Sequence, residues 1–311
     1  MKTARFSTLA FLLLALCTTA LLASPVNWKR AQQPYPGIRY VSISTNKPRT
    51  LKYSIIQVDL TIPGLRFTST EAVPDKIYGQ PMPDAPGQFI RTKRESTPKY
   101  MIRNRALPMP NSNGRGYNML VAANATPWTP WPPPKGNVFA NPAGLVISEG
   151  IVVADNPNTF NAIFVVRKDG SIRIEQSVPR EDYPDIWMAL SGFGIILKDG
   201  KPVDGGGYEK DLMPRLSYGL SKDNRYLYIM AIDGRQPGVS EGTKDNETAK
   251  LLLEAGAWNG IDMDGGGSAT LCFWDARNRK PKVLSSTGPS QYCREVGMNM
   301  GLIVLPQQPQ Q

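Results

Sequence analysis

The feature that most constrains the fold is a dense succession of short β-prone segments in the second half of the chain. From residue 144 onward, apolar or alternating runs are separated by turn signals such as Lys168-Asp169-Gly170 and Lys198-Asp199-Gly200. Alternation of apolar and polar residues is the period of a strand with one buried face. The predicted strands in this region are 145–153, 162–166, 171–175, 188–191, 195–197, 216–220, 226–232, 269–274 and 300–305.

The first half of the chain has fewer regular elements. Residues 38–43, 52–60 and 119–123 are predicted strands. The polar, Pro-rich section between them is loop-like, with room for one helix within 87–104. A second helix is predicted over 246–255, where Gly256 provides the C-terminal stop.

The helix at 246–255 is followed closely by a short strand and a glycine turn, a spacing typical of compact α/β connections. We therefore expect an α+β or mixed α/β fold: a strand-rich single domain with a few helices packed on a mixed sheet. Within it, residues 24–116 supply N-terminal strands and a Pro-rich insert, residues 117–305 form the core, and residues 306–311 form a disordered tail.

The N-terminus has the layout of a secretory signal peptide. Two basic residues precede an apolar run at 9–16, and small residues follow up to Ala23. Cys17 would suit a lipoprotein, but the bulky Leu16 stands where a small residue is expected. We therefore predict cleavage of residues 1–23 and a secreted, periplasmic or extracellular protein. No stable membrane insertion is expected afterwards, because no later run is long enough to span a bilayer.

The charge balance favours acidic partners. The chain has 36 Lys and Arg against 26 Asp and Glu. Removal of residues 1–23 takes away two basic residues and no acidic one, which leaves a formal net charge of +8. Because the basic residues occur in scattered clusters without a recognisable nucleic-acid module, we expect no nucleic-acid partner. Phosphate-containing glycans or cell-wall polymers are the favoured class.

The chain contains no histidine. This excludes Ser-His-Asp and Cys-His catalytic arrangements and every His-ligated zinc site. Proton transfer must come from carboxylates, Tyr, Lys or a metal-bound water, and among hydrolases this favours glycosidase-like carboxylate chemistry. After signal removal only Cys272 and Cys293 remain. In an oxidising compartment they form a predicted disulfide, and the alternative is two buried free thiols.

The candidate site is the stretch Asp262-Met263-Asp264-Gly265-Gly266-Gly267-Ser268-Ala269-Thr270. Three consecutive glycines permit positive φ and close approach of a ligand to the main chain. Their N–H groups, with the hydroxyls of Ser268 and Thr270, would form an anion-binding concavity. By itself a glycine run is only a tight turn. Here it lies at the end of a short strand, a position where functional sites are often built.

A stiff aromatic segment at 127–134 is a second candidate feature. Its prolines restrict the backbone and leave Trp128 and Trp131 projecting, which would suit one wall of a sugar pocket. The alternative is a rigid surface loop that packs its own tryptophans into the core.

Several ordered segments resemble the phosphodiester glycosidase family over residues 117–304. The most specific is 260–270, which matches the family's apolar-Asp-Gly-Gly-Gly-Ser signature. Further matches are the strand-Asp-Gly-Arg segment at 229–235, the Gly-x-Ser at 238–240, Arg215 in an Arg-x-x-x-Gly strand, the segments 141–144 and 189–192, and the basic region at 294–296.

Together with the signal peptide, the resemblance implies an exported hydrolase. It would cleave a sugar-1-phosphodiester, of the N-acetylglucosamine-1-phosphate type, at the glycosidic bond in a glycan or cell-envelope polymer. Asp264 is the expected base or nucleophile, and Asp233 or Glu241 is the second carboxylate. A phosphate leaving group is weakly basic, so a single essential carboxylate would suffice. The predicted substrate-binding residues are Asn124, Arg215, Gly265, Gly266, Gly267, Ser268 and Arg294.

Two departures from the family pattern leave other functions open. The family's Asn-Gly-Gly-aromatic segment is Asn124-Ala125-Thr126-Pro127-Trp128 here, so one alternative is a non-catalytic carbohydrate-binding or envelope-binding protein. Asp262 stands where the family has Asn. Because side chains alternate along a strand, Asp262 and Asp264 would face one side and either raise one pKa or collect a divalent cation. The second alternative is therefore a metal-dependent phosphodiesterase with these two ligands, and otherwise no cofactor is expected.

Overall fold

The structure is a computed structural model that describes residues 26–108, 114–156, 160–203, 211–286 and 293–305. The predicted signal peptide at 1–23, which includes Cys17, and the predicted tail at 306–311 lie outside the described residues. None of the helices within these ranges is long and apolar enough to cross a membrane.

The described elements are mainly strands. They are β1 Gln32–Tyr35, β2 Ile38–Thr45, β3 Leu51–Asp59, β4 Leu65–Ser69, β5 Thr92–Lys93, β6 Glu95–Ser96, β7 Met119–Asn124, β8 Trp128–Thr129, β9 Phe139–Pro142, β10 Leu145–Ser148, β11 Ile151–Asp155, β12 Ile163–Arg167, β13 Ile172–Glu175, β14 Ile186–Ser191, β15 Gly194–Lys198, β16 Lys201–Pro202, β17 Arg215–Leu220, β18 Tyr226–Ile232, β19 Asn259–Asp262, β20 Leu271–Asp275, β21 Lys280–Val283, β22 Glu295–Val296 and β23 Asn299–Val304. The helices are α1 Thr97–Arg105 and α2 Asp245–Ala255, with 3₁₀ turns at Trp28–Arg30, Arg180–Asp185 and Gly266–Ser268.

Three larger sheets carry the fold. An eight-stranded sheet has the order β1-β2-β3-β18-β17-β19-β15-β16, and two five-stranded sheets have the orders β11-β10-β14-β12-β13 and β21-β20-β7-β23-β4. Strands from the first hundred residues therefore lie beside later ones, as β3 does beside β18 and β4 beside β23. The predicted boundary between residues 116 and 117 stays a prediction.

The expectation of a mixed α/β fold is wrong. Among the described residues, strands hold 44% and helices 12%, so the described part of the protein is mostly β. Every pairing among the described strands is antiparallel. The misleading signal was α2, which connects β18 to β19 as in an α/β unit. These two strands are not neighbours, because β17 lies between them and is antiparallel to both.

The alternation along β3 and β18 explains how two apolar layers form on the eight-stranded sheet. Ile56 and Ile229 belong to the main core, which the three larger sheets share. Their neighbours Ile55 and Met230 point to the opposite face and pack in a second cluster that includes Leu252 of α2. Helix α2 therefore covers the outer face of this sheet. Each fully buried side chain of this size contributes roughly 1.5–3 kcal/mol relative to exposure.

Candidate active site

The glycine turn lies where three strands end or begin. The N–H of Met263 donates to Leu216 O at the start of β17 (2.8 Å), and that of Asp264 donates to Ala125 O just after β7 (2.9 Å). The Gly266 N–H donates to Pro214 O (2.8 Å). The turn is thus fixed to β7 and β17 by its own main chain. Because the Gly266 N–H already donates to Pro214 O, it is not available to the anion-binding concavity that the sequence predicted.

The glycines admit two guanidinium groups instead. A Cβ at Gly267 would lie 2.6 Å from Cζ of Arg294, so any larger residue would displace this guanidinium group. The nearest atom to a Cβ at Gly266 would be Nη1 of Arg235 at 3.4 Å, an ordinary contact distance, but the backbone there has φ +57°. Glycine therefore leaves room for Arg294 at position 267 and permits the left-handed backbone at position 266.

Asp264 is the carboxyl group at the centre of this turn. The residue is partly exposed, but its Oδ2 is buried and has no hydrogen-bond partner among the described residues. Burial raises the pKa of Asp264 to about 7, with a smaller contribution from the charge of Asp262, while the Ser268 hydroxyl and the Arg294 charge oppose the shift. A carboxyl group with this pKa changes protonation state near neutral pH, which suits a base or a nucleophile.

Arg294 and Arg235 supply positive charge beside Asp264. Arg294 donates from Nη1 to Ser268 Oγ (3.3 Å), and its Cζ lies 4.2 Å from the ring centroid of Trp131. The pKa of Arg294 is lowered by burial and by the charge of Arg235, whereas Asp264 acts in the opposite direction. Arg235 is exposed, has φ +57° and forms no ion pair within the described ranges. Two neighbouring cations that repel each other form a site for a polyvalent anion.

Arg215, a predicted phosphate ligand, lies in the interior. It is only 2% exposed, and its Nη1 contacts Asp245 Oδ1 (2.7 Å) and Asp262 Oδ2 (3.2 Å). Its Nε also donates to Thr243 O (3.1 Å). This guanidinium therefore neutralises two buried carboxylates beneath the turn.

Asp262 is part of that buried cluster. The Ser217 hydroxyl donates to its Oδ1 (2.9 Å) from the residue directly opposite in β17. Burial raises the pKa of Asp262 to about 7, although Arg215 opposes the shift. Because Arg215 and Ser217 hold its two oxygens, the Asp262 and Asp264 pair does not fit a cation site. No group of three or more acidic or Cys side chains in the described part of the chain is placed to hold a metal ion.

Asn124, a predicted substrate ligand, bridges the turn to β7. Its Nδ2 donates to Asp264 O (2.6 Å), and its Oδ1 accepts from Thr270 N (2.8 Å). The Tyr218 hydroxyl donates to the Asn124 carbonyl (2.5 Å). Asn124 is fully buried, so the structure places it as the residue that positions the backbone on both sides of the glycines.

The two candidates for the second carboxylate flank Arg235 in the loop between β18 and α2: Asp233 directly follows β18, and Glu241 comes later in the loop. Asp233 Oδ1 accepts from Ser286 N (2.6 Å), and burial raises the pKa of Asp233 to about 6. Glu241 accepts weakly from the Thr50 hydroxyl (3.4 Å), and its carbonyl accepts from Arg235 N (3.3 Å). Neither carboxylate is shown in contact with Asp264; both support the segment that carries Arg235.

The tryptophans and cysteines complete the surroundings. Trp128 is buried and edge-on to Trp131 (5.6 Å between ring centroids), while Trp131 is 55% exposed beneath Arg294. Trp131 therefore provides an aromatic face beside the turn. Cys272 and Cys293 are free thiols, and burial raises the pKa of each. The disulfide between them stays a prediction.

Sequence reasoning missed two residues of this site. Arg235 stands in the strand-Asp-Gly-Arg segment, and a basic residue at a strand end could have identified it. Asp245 offered no such signal, because an acidic residue in the first turn of a helix is ordinary.

Comparison with known proteins decides the family. The sequence model of the family "Phosphodiester glycosidase" matches residues 87–302, more than half of the chain. The chain belongs to the phosphodiester glycosidase family. It is therefore a hydrolase of the class that cleaves glycosidic bonds to phosphodiesters. No functionally curated protein matches the sequence.

Two solved structures resemble this phosphodiester glycosidase. One is the zebrafish N-acetylglucosamine-1-phosphodiester alpha-N-acetylglucosaminidase catalytic domain, auto-inhibited by its pro-peptide, with a TM-score of 0.57 and 18% identity. That comparison covers 89% of this chain and 86% of the other. The second is a hypothetical protein from Synechocystis, with a TM-score of 0.53 and 13% identity over 87% of this chain and 62% of the other. At these identities the likeness shows the fold alone.

The raised pKa of Asp264 predicts a pH-dependent stability difference. Because the pKa rises from 3.8 in the unfolded chain to about 7 in the folded one, this residue stabilises the fold fully below pH 3.8, and the contribution is lost as the pH rises to 7. We expect Asp264→Asn to be more stable than wild type at pH 8, with a difference that shrinks towards pH 4. Urea unfolding across this range measures it. If the difference in the free energy of unfolding between the two proteins did not change with pH, the raised pKa of Asp264 would be contradicted.

Proposed function

We propose that this phosphodiester glycosidase is an exported enzyme that releases a sugar of the N-acetylglucosamine type from phosphate in a glycan or cell-envelope polymer. The observation that carries the proposal is Asp264, a carboxyl group with a buried, unpartnered oxygen, on a turn that also receives Arg235 and Arg294. The signal-peptide layout of residues 1–23 supports export. The name of the zebrafish structure supports the sugar.

The guanidinium groups of Arg235 and Arg294 would bind the phosphate. Arg294 and Arg235 approach the turn from two directions, and planar guanidinium groups offer paired donors to phosphate oxygens. Ser268 adds a hydroxyl that Arg294 already orients (3.3 Å). Arg215 is not needed in this arrangement, since two buried carboxylates hold it.

Asp264 acts on the anomeric carbon or on the water that attacks it. The ionised form is required in either role, and the pKa of about 7 leaves much of the group ionised at neutral pH. The phosphate leaves with its charge neutralised by the two arginines, so it needs little protonation. The exposed face of Trp131 provides a surface on which the apolar side of a sugar ring can stack.

Hydrolysis in ¹⁸O-labelled water tests the proposal. A panel of N-acetylglucosamine-1-phosphodiesters is incubated with wild type and Asp264→Asn, and mass spectrometry locates the label. We expect the label in the sugar with wild type and far less product with the variant. Label in the phosphate would establish a phosphodiesterase instead. Absence of turnover on every substrate, with measurable glycan binding, would establish a binding protein.

The arginines give a separate prediction. Arg294→Ala and Arg235→Ala are each expected to lower kcat/KM by about 10- to 100-fold, because each removes charge-assisted hydrogen bonds to phosphate. Inhibition by inorganic phosphate should weaken in parallel. Arg173→Ala, at an exposed position on β13, is the matched control and should change neither quantity. Unaltered phosphate inhibition in both site variants would place the phosphate elsewhere.

A further inference from the structure

A groove of about 950 Å³ lies next to the candidate active site. Its lining comes from residues 70–77, from β5, β6 and α1, from residues 114–115 and 138–139, and from Glu295. Ligand sites typically measure about 300–1,000 Å³, so this groove has room for more than a single sugar phosphate. None of the residues assigned above to catalysis or to phosphate binding lines it.

Packed cations and aromatic rings connect the groove lining to the active site. Glu295 directly follows Arg294 in the sequence. At the other side, Cζ of Arg94 lies 5.2 Å from the ring centroid of Trp128, which is edge-on to Trp131. Trp131 in turn lies beneath Arg294 (4.2 Å). Trp128 is buried, so these contacts are packed protein, and the groove lining lies within a few side chains of the glycine turn.

Its charge is positive. Five cations line it, Lys93, Arg94, Lys99, Arg103 and Arg115, against three carboxylates, Glu71, Glu95 and Glu295. Arg115 is paired with Glu149 outside the lining (2.5 Å), so the lining together with this partner has a net charge of +1.

Ion pairs fix part of this lining. Arg103 pairs with Glu71 (2.7 Å) and Glu95 (3.0 Å), and Lys99 pairs with Glu295 (3.0 Å). Lys93 is exposed and forms no ion pair within the described ranges. An exposed lysine that holds no ion pair, beside a fixed guanidinium network, attracts a second anionic group at a distance from the first.

We infer that this groove binds the leaving-group side of the substrate, a linear polyol-phosphate or sugar-phosphate chain with further phosphates beyond the one that is cleaved. The inference rests on the proposed function. A phosphodiester has two substituents, and the sugar stacked near Trp131 occupies one side of the phosphate. The other substituent extends from Arg294 towards Glu295, and Lys93 is the cation that meets its next phosphates.

Two substrates with the same scissile bond test the inference. One is N-acetylglucosamine-1-phosphoglycerol, and the other carries the same group at the end of a glycerol-phosphate oligomer. In Lys93→Glu we expect the ratio of kcat/KM for the oligomer to that for the monomer to fall by about tenfold, because an attraction becomes a repulsion. Lys168→Glu, at an exposed lysine outside the groove, should leave the ratio unchanged. An unchanged ratio in Lys93→Glu would overturn the inference.

A binding measurement separates the groove from the catalytic proposal. A fluorescent glycerol-phosphate oligomer without the terminal sugar is titrated into Asp264→Asn, with and without Lys93→Glu. Binding that Lys93→Glu and added salt weaken supports the groove even if no phosphodiester is hydrolysed. Absence of binding overturns it even if the monomer is hydrolysed. Equal, Lys93-dependent binding of a single-stranded oligonucleotide with as many phosphates would overturn the assignment to a polyol or sugar phosphate chain.

Discussion

Replacing Asp264 with asparagine is expected to lower kcat on a sugar-1-phosphodiester by about 10²–10⁴-fold, the range that a positioned acid or base contributes. The change removes the ionisable oxygen and retains the size of the side chain. Asn124 holds the backbone at this position (2.6 Å to the Asp264 carbonyl), so the turn should keep its shape. KM should change little, because the arginines that bind phosphate remain. Steady-state kinetics on the same substrate panel measure both quantities.

The pH profile supplies the control for this prediction. Since the ionised carboxylate is the active form, kcat/KM of the wild type should rise with pH and level off above about 7. Asp233→Asn should retain most of the activity, because Asp233 is bonded to Ser286 N and supports a neighbouring segment. If Asp264→Asn kept most of the wild-type kcat and Asp233→Asn lost it, the roles of the two residues would be reversed.

Replacing Arg215 with leucine is expected to lower the free energy of unfolding by about 3–5 kcal/mol, as removal of one partner of a buried ion pair does. Asp245 and Asp262 would be left buried without their cation, although both contact it in the wild type (2.7 and 3.2 Å). Urea denaturation at pH 8 measures the loss. Arg225→Leu is the control: its pair with Asp59 is exposed on the arginine side, so its loss should change the free energy of unfolding far less.

A compensating variant distinguishes a structural role from a substrate role. Arg215→Leu combined with Asp245→Asn and Asp262→Asn removes the whole buried charge cluster, so much of the lost stability should return. If Arg215→Leu unfolded at the wild-type urea concentration but weakened phosphate inhibition, Arg215 would be a phosphate ligand, as the sequence predicted.

The strands were largely predictable because each has a local signal. Residues 226–232 form a continuous apolar run bounded by turn residues, and the structure has β18 at Tyr226–Ile232. The run at 145–153 was predicted as one strand, but Glu149 adopts φ +51° and divides it into the hairpin of β10 and β11. The direction of strand pairing has no local signal, since it depends on which strand enters between two others. For that reason the helix α2 between β18 and β19 suggested a mixed sheet. In the structure β17 lies between these two strands and pairs with both in the antiparallel direction.

The sequence predicted the position of the glycine turn, but it did not predict which arginines surround it. The glycine run identified Asp264 and Ser268, and the family resemblance added Arg294; the structure brings the three residues together. The sequence could not show whether an arginine points into the turn or away from it. Arg215 and Arg235 both stand at ends of paired strands, yet Arg215 is 2% exposed and Arg235 is exposed. Their exposure differs because Asp245 and Asp262 form buried ion pairs with Arg215 and not with Arg235.

The place of β23 in its sheet bears on when activity appears. β23 lies between β7 and β4, so a strand formed by residues 299–304 completes the sheet that carries Asn124. Contacts between residues so far apart in sequence make folding slow. In chain order, Arg294 and β23 follow Asn124 and the glycine turn. The site is therefore complete only after residues 294–304 have been synthesised and β23 has paired with β7 and β4.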